Sequence, residues 1–519
     1  MQPAEGGEYV DIAQVREASI YSAHVEGEGG RVTRVIVPFV TVAVFASAIT
    51  LWAGGYTVSP PVQVSSSSPF ASCTADNVAA QPGQVYADTE VEPWLAVNPT
   101  NPRNLAGGWQ QDRWSNGGAR GVVAGVSVDG GLTWTSVVVP GISKCSGGAF
   151  DRATDSWVSF SPDGTLYYNS LAFNASDNRN AIFVNRSTDG GFTWSAPVPL
   201  IDDNSALVFN DKNSITADPT DSRFVYAVWD RTRHPAEERP NASAGFSAAF
   251  RGDAMFTRTT DGGLTWEPPR AIFQPQKNLF TLGNVVAVLP DGTLLDVFQL
   301  AQGSVTNLPG RSVAVMRSTD HGETWSSPQI VSALLSAGIS DPDTGQDVRA
   351  SNDLPEIAVD PVVGTAYVVW GDRRFSGNDR IDSIVMSKSV DGGLTWSTPV
   401  AISQTPTTVA AVNRQAFTPS IAVAVDGTIG VSYYDFRSNT SDPNTLLTDR
   451  WFVHSHDGGA TWSENHLAGP FDLSEAPVAR GLFLGDYHGL VTVGFGFNAL
   501  YGVSSASDRA NMFSSRIGP

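Results

Sequence analysis

One eight-residue motif, Ser/Thr-x-Asp-x-Gly-x-Thr-Trp, occurs six times and restricts the possible folds of this chain more than any other feature. The copies run Ser127–Trp134, Ser187–Trp194, Thr259–Trp266, Ser318–Trp325, Ser389–Trp396 and Ser455–Trp462. Their aspartates, Asp129, Asp189, Asp261, Asp320, Asp391 and Asp457, are spaced by 60, 72, 59, 71 and 66 residues. A carboxylate so placed accepts hydrogen bonds from the turn N–H groups and the threonine hydroxyl that follow it. The fifth position is Gly in every copy, which predicts a backbone at positive φ. The residue before it is Gly five times and His321 once. The tryptophan is a wedge suited to packing between sheets. Six scattered copies predict architecture rather than a ligand site.

Upstream of each motif lie two short alternating strands joined by a tight turn, as in Glu92–Val97 with Leu105–Gln110, or Leu354–Val359 with Thr365–Trp370. There are seven such pairs but six motifs, the seventh being Gly489–Val493 with Ala499–Val503. Each motif falls between a third strand and a fourth that begins at the tryptophan. Four antiparallel strands per repeat make a propeller blade. The expectation is therefore an all-β propeller of seven blades over residues 89–519, with six as the alternative. The last repeat stops after three strands at Phe513–Ile517, so a segment near Val62–Val64 is expected to supply its outer strand and close the ring.

Composition agrees: 50 glycines, 32 prolines and only 16% charged residues suit short strands and tight turns. A net charge of −20 disfavours a phosphate backbone as partner, so no nucleic acid is expected. Residues 35–53 carry no charge and are long enough to span a bilayer, with Arg31 and Arg34 just before them. This divides the chain into a cytoplasmic or n-region segment (1–34), a transmembrane anchor or signal sequence (35–56), and a linker with the closing strand (57–88). A cleaved signal ending near Ala46-Ser47-Ala48 is the competing reading. Both readings export the propeller, either membrane-anchored by its N-terminal segment or secreted. In that setting Cys73 and Cys145 are expected to form a disulfide.

The repeated motif is the Asp box of sialidases and related BNR-repeat proteins, and residues from about 90 to 516 resemble that superfamily throughout. The resemblance implies an extracytoplasmic glycoside hydrolase that cleaves a terminal acidic sugar from glycans (exo-α-sialidase type). Such enzymes use an arginine triad, a tyrosine nucleophile backed by glutamate, and an aspartic acid/base. The Arg-Ile-Pro triplet that carries the family's first arginine is missing here; Arg516-Ile517 lies at the wrong end.

The Asp boxes lie on one propeller face, so a site is sought on the other, where first strands begin and second strands end. Second-strand ends repeat an Asp–Arg theme: Asp112-Arg113, Asp230-Arg231, Asp372-Arg373-Arg374 and Asp435-Phe436-Arg437. Arg113, Arg231, Arg374 and Arg437 are the candidates for holding a carboxylate; the alternative reading makes them staples between blades. The seventh first strand opens with Gly485-Asp486-Tyr487-His488-Gly489. By position Tyr487 matches the nucleophile, Glu92 or Asp353 its supporting base, Asp112 or Asp155 the acid, and Asp486 a substrate contact. The alternatives are a surface propeller that binds glycans or proteins without catalysis, and a lyase using Tyr487 with His488. No cofactor is expected, apart from structural calcium on top-face aspartates. The chain is expected to be monomeric.

Overall fold

The computed structural model describes residues 55–234, 251–304 and 307–519. Of the segments 1–34 and 35–56 with their anchor or signal reading, residues 1–54 lie outside the described residues, and the boundary at 56 falls too late, because Tyr56 is buried in the propeller against His454. Among those described, no helix is long and apolar enough to cross a membrane.

Seven four-stranded antiparallel blades form a closed ring. Blade 1 comprises Glu90–Val97, Leu105–Arg113, Ala119–Ser127 and Thr135–Val138. Blade 2 is Arg152–Phe160, Leu166–Phe173, Arg179–Ser187 and Val198–Asn204. Blade 3 is Val208–Ala217, Val225–Arg233, Arg251–Thr259 and Arg270–Phe273. Blade 4 is Leu279–Val288, Leu294–Ser304, Asn307–Ser318 and Gln329–Ala333. Blade 5 is Glu356–Val359, Ala366–Asp372, Ser383–Ser389 and Val400–Ala401. Blade 6 is Ala416–Val423, Ile429–Asp435, Leu447–Ser455 and Ser463–Asp472. Blade 7 takes Gly489–Val493, Gly496–Val503 and Asn511–Gly518 from the C-terminus. Its outer strand comes from the N-terminal segment: Thr57 and Val58 pair with Gly518 and Ile517, and Val62 and Gln63 with Ser514 and Phe513. The innermost strands pack on one another around the ring, and that of blade 7 returns to that of blade 1.

Residues 57–88 are thus not a free linker. Beyond the closing strand they lie as a strap on blade 1, fixed by the Cys73–Cys145 disulfide and by Arg120, whose Nε is 2.7 Å from Asp76. Cys73, Asp76 and Cys145 form the one close group of three potential metal ligands among the described residues, and both sulfurs are engaged in the disulfide.

The Asp boxes close as their chemistry requires. Asp129 accepts from the backbone N–H groups of Leu132 and Thr133 at 2.9 and 3.0 Å, and from the Thr133 hydroxyl at 2.6 Å. Ser127 Oγ accepts the Gly131 N–H at 2.8 Å. The fifth-position glycine has a second constraint, because each box abuts the preceding blade. A Cβ on Gly191 would fall 2.9 Å from Val126, on Gly263 2.6 Å from Tyr167, and on Gly322 2.3 Å from the fully buried Phe256 ring. His321 adopts φ 55° where the other boxes have Gly, and its ring stacks on Phe224 at 4.2 Å.

Two substitutions separate strain from packing. Gly130→Ala meets open space, so it is expected to cost only the left-handed backbone penalty, about 1–2 kcal/mol. Gly322→Ala adds overpacking against Phe256, a further ~1–3 kcal/mol. Denaturant unfolding of the two variants measures the difference.

Candidate functional site

In five blades the innermost strand is broken by a register shift: Val91/Trp94, Thr154/Trp157, Asp211/Ser214, Leu282/Val285 and Phe417/Ser420. The residue in each bulge is left-handed: Glu92 at φ 56°, Asp155 at 53°, Lys212 at 50°, Gly283 at 68° and Thr418 at 47°. Bulges re-aim side chains, and strained non-glycine positions persist only where the surroundings over-determine them. Neighbouring elements do so here. The Lys212 N–H donates to Asp155 Oδ2 (3.1 Å), that of Gly283 to Asp230 Oδ2 (2.7 Å), that of Thr418 to Asn352 Oδ1 (2.9 Å) and that of Glu92 to Leu484 O (3.1 Å).

The bulges of blades 1 to 3 bring Glu92, Asp155 and Lys212 together on the face opposite the Asp boxes, where they meet Asp486 from the start of blade 7. Lys212 Nζ bridges Glu92 Oε1, at 3.4 Å, and Asp486 Oδ2. Arg349 forms a two-pronged pair with Asp486, its Nε 3.0 Å from Oδ1 and its Nη2 on Oδ2. Ser351 Oγ also donates to Asp486. Gln110 links the cluster to Arg113, donating to Glu92 while accepting from Arg113 Nη1. The buried Arg113 guanidinium lies 5.0 Å over the Phe483 ring, and burial lowers its pKa to about 10.

The carboxylates are driven apart in acidity. Burial pushes Glu92 up to about 7, with Lys212 opposing and Asp486 and Asp155 adding to the rise. Burial also acts on Asp486, but Arg349 and Lys212 overcome it and hold that carboxyl well below its ordinary value. Asp211, beside the Lys212 bulge, is raised to about 6 by burial and by Asp155.

Beside this cluster opens a cleft of about 410 Å³, whose walls include Asp211, Arg311, Arg349, Asp353, Arg480 and Asp486. Arg480 is exposed, and its side chain makes no ion pair among the described residues. The neighbouring Arg349 charge lowers its pKa. Three guanidiniums, those of Arg311, Arg349 and Arg480, line the cleft; that of Arg480, unpaired among the described residues, can receive an anion, and a planar carboxylate matches its fork.

The other sequence candidates are placed differently. Arg231 pairs with Asp203 on the outer strand of blade 2 (2.7 Å), and Arg374 with Asp372 (2.7 Å) and the Ala333 carbonyl. Arg437 pairs with Asp435 and Glu464, each at 2.7 Å. These three arginines are staples with their charges already matched, and none touches the cleft. Asp112 is fully buried and secures the strap, accepting from Ser68 Oγ and the Asp88 N–H, both at 2.8 Å. Asp353 lines the cleft but pairs with Arg311 at 3.0 Å. Tyr487 packs edge-on against Trp157 and Trp94, with ring centroids 5.2 and 6.1 Å away. Its hydroxyl is buried with no partner among the described residues. Burial, then Glu92, Asp155 and Asp486, raise that phenol well above its ordinary pKa, which makes it a poor nucleophile in this arrangement. His488 is fully buried, both ring nitrogens lack partners among the described residues, and burial holds its pKa well below the usual value.

The sequence reading missed Lys212, Arg349, Ser351 and Arg480. Lys212 had a legible signal: it is one of four lysines and holds the strand position that Glu92 and Asp155 hold in blades 1 and 2. Arg349, Ser351 and Arg480 come from the connections between blades 4 and 5 and between blades 6 and 7, where no repeat marks a position.

No family model matches the chain. A protein of Bacteroides fragilis (strain YCH46) named "Sialidase" is 28% identical over 203 residues, covering 36% of this chain and 35% of that protein. The match therefore spans about a third of the relative's length. Among solved structures, a Hadza microbial sialidase aligns with TM-score 0.45 at 17% identity, over 79% of this chain and 73% of its own. A Penicillium chrysogenum alpha-L-arabinanase aligns with TM-score 0.45 at 13% identity, over 88% and 98%. The chain thus carries six Asp boxes on a ring of four-stranded blades and resembles a sialidase over about a third of its length.

Proposed function

We propose that this propeller is a glycoside hydrolase that removes a terminal acidic sugar, a sialic or uronic acid, from a glycan. The observation that carries the reading is the cleft itself, where the unpaired Arg480 and the adjacent Arg349 stand with Asp211 and Asp486, two carboxyls of unlike acidity. Arg480 takes the sugar carboxylate, and Arg349 adds positive potential while orienting Asp486. Asp211, protonated up to about pH 6, gives its proton to the glycosidic oxygen. Asp486, ionised throughout, stabilises the positive charge that develops on the sugar ring; water then adds to the anomeric carbon and gives its proton to the Asp211 carboxylate, which restores the acid.

The test is a panel of fluorogenic sialosides, uronides and neutral arabinosides offered to the purified protein. Turnover confined to the acidic sugars is expected; turnover of the arabinosides alone, or of none, overturns the proposal. Arg480→Ala removes one charge-assisted contact and no internal bond. It is expected to lower kcat/KM roughly tenfold to a hundredfold, mostly through KM, with thermal unfolding unchanged. A second reading, a propeller that binds acidic glycans without cleaving them, is favoured by one observation: Lys212, Arg349 and Ser351 already engage Asp486. Saturable binding of a sialyl oligosaccharide without product release would support it.

A further inference from the structure

The Asp-box face carries a feature that the cleft does not use. First strands run away from the cleft, so the turns between first and second strands and the Asp boxes all lie on the opposite face. Seventeen large hydrophobic side chains are exposed among the described residues, and ten of them sit in these turns. They include Leu132 (48% exposed), Phe192 (41%), Leu264 (71%), Val363 (72%), Leu394 (53%) and Phe495 (59%), drawn from blades 1, 2, 3, 5 and 7. Four occupy one motif position, the residue after the fifth-position glycine. That glycine is fixed by φ and by the neighbouring blade, whereas the tip residue stays 41–71% exposed, so the fold gains little from its being apolar. Apolar tips distributed around a rim, rather than gathered in one groove, suit a broad apolar partner.

The path of the chain says which partner. Thr57 pairs with Gly518 at the Asp-box end of blade 7. Tyr56 is buried on the same face, stacked on His454 at 4.4 Å and edge-on to His456 at 5.4 Å. The chain therefore joins the propeller on this face. Immediately before it, residues 35–53 are 19 residues without a charge, a bilayer-spanning length. Only Gly54 and Gly55 separate Ala53 from the buried Tyr56, no more than about 11 Å of extended chain. A membrane that holds this run cannot stand far from the Asp-box face.

We propose that the Asp-box face lies on a lipid surface, its apolar turn tips entering the headgroup region, with the cleft directed away from the membrane. The proposal rests on residues 35–53 remaining in the membrane, not on the glycosidase reading. Single leucine- or valine-sized tips each bury little area, but several around one rim, together with a covalent anchor, make the attachment firm. A cleft facing outward would take glycans of the surroundings rather than headgroups of its own bilayer.

The test uses the full chain in vesicles of phosphatidylcholine and phosphatidylglycerol. Both native cysteines are in the disulfide, so one added cysteine can be labelled selectively with an environment-sensitive fluorophore. Leu264→Cys reports the Asp-box face. Val412→Cys, in the connection leading into blade 6, reports the cleft face and is also exposed (49%). Quenching by a headgroup-labelled lipid at position 264 and none at 412 is the expected result. Equal quenching at the two positions overturns the proposal. So does a mature chain that lacks residues 35–53 and stays in the aqueous phase, or cross-linking through position 264 to a second copy in place of lipid quenching.

Discussion

Asp211→Asn is expected to slow hydrolysis of a glycan with a sugar leaving group by about 10²–10⁴-fold, the range for loss of a positioned general acid. The effect should nearly vanish on a nitrophenyl glycoside, whose leaving group departs without a proton. Asp211 is half-exposed, and its Oδ1 accepts the Lys212 N–H at 3.0 Å, a bond that an asparagine oxygen can keep. The fold should therefore survive, and the loss should appear in kcat. The pH dependence supplies an independent sign. A carboxyl raised to about 6 works in its protonated form, so wild-type activity declines as pH rises through about 6, and this limb is missing in the variant. Initial rates on both substrates across pH decide the matter.

Asp486→Asn should lower stability as well as remove the carboxylate that faces the sugar ring. It leaves the buried Lys212 and Arg349 without their shared counter-charge, and breaking a buried pair from one side costs about 3–5 kcal/mol. Denaturant unfolding near neutral pH measures this. Asp486 has a depressed pKa in the folded chain, so its contribution is present above the ordinary carboxylate range and disappears as pH falls through its folded value. The stability difference between wild type and variant should therefore shrink in acid. Glu92 has the opposite sign: raised to about 7, its contribution is full below its unfolded pKa and is lost as pH rises through about 7. Adding Arg349→Met to Asp486→Asn should recover part of the loss, because a cation without a partner is then removed.

The architecture was legible because its determinants are local. The fifth-position glycine of the Asp box has φ from 80° to 107° in all six copies, and the aspartate bonds stay within five residues. The closing strand was legible from the strand missing after Ile517. The site was only partly so. Glu92, Asp155 and Asp486 were named from their positions at first-strand starts, and the structure joins them through Lys212. The Asp–Arg theme was visible, but its recurrence reflects stapling, as Arg374 on Asp372 and Arg437 on Glu464 show. Arg349 and Arg480 could not be found by pattern, because each comes from a connection that only ring closure brings to the cleft. Tyr487 was named from its place just before the first strand of blade 7, and that place does not say where the ring turns; it packs against Trp94 and Trp157.

The central claim is that this cleft cleaves an acidic sugar held by Arg480. Its most direct test follows release of free sugar acid from a sialyl or uronyl oligosaccharide by nuclear magnetic resonance, with wild type and Arg480→Ala side by side. The account predicts release by the wild type and a loss in the variant that higher substrate concentration largely restores. No release by a folded wild-type protein, or equal release by both proteins at low substrate, would contradict it.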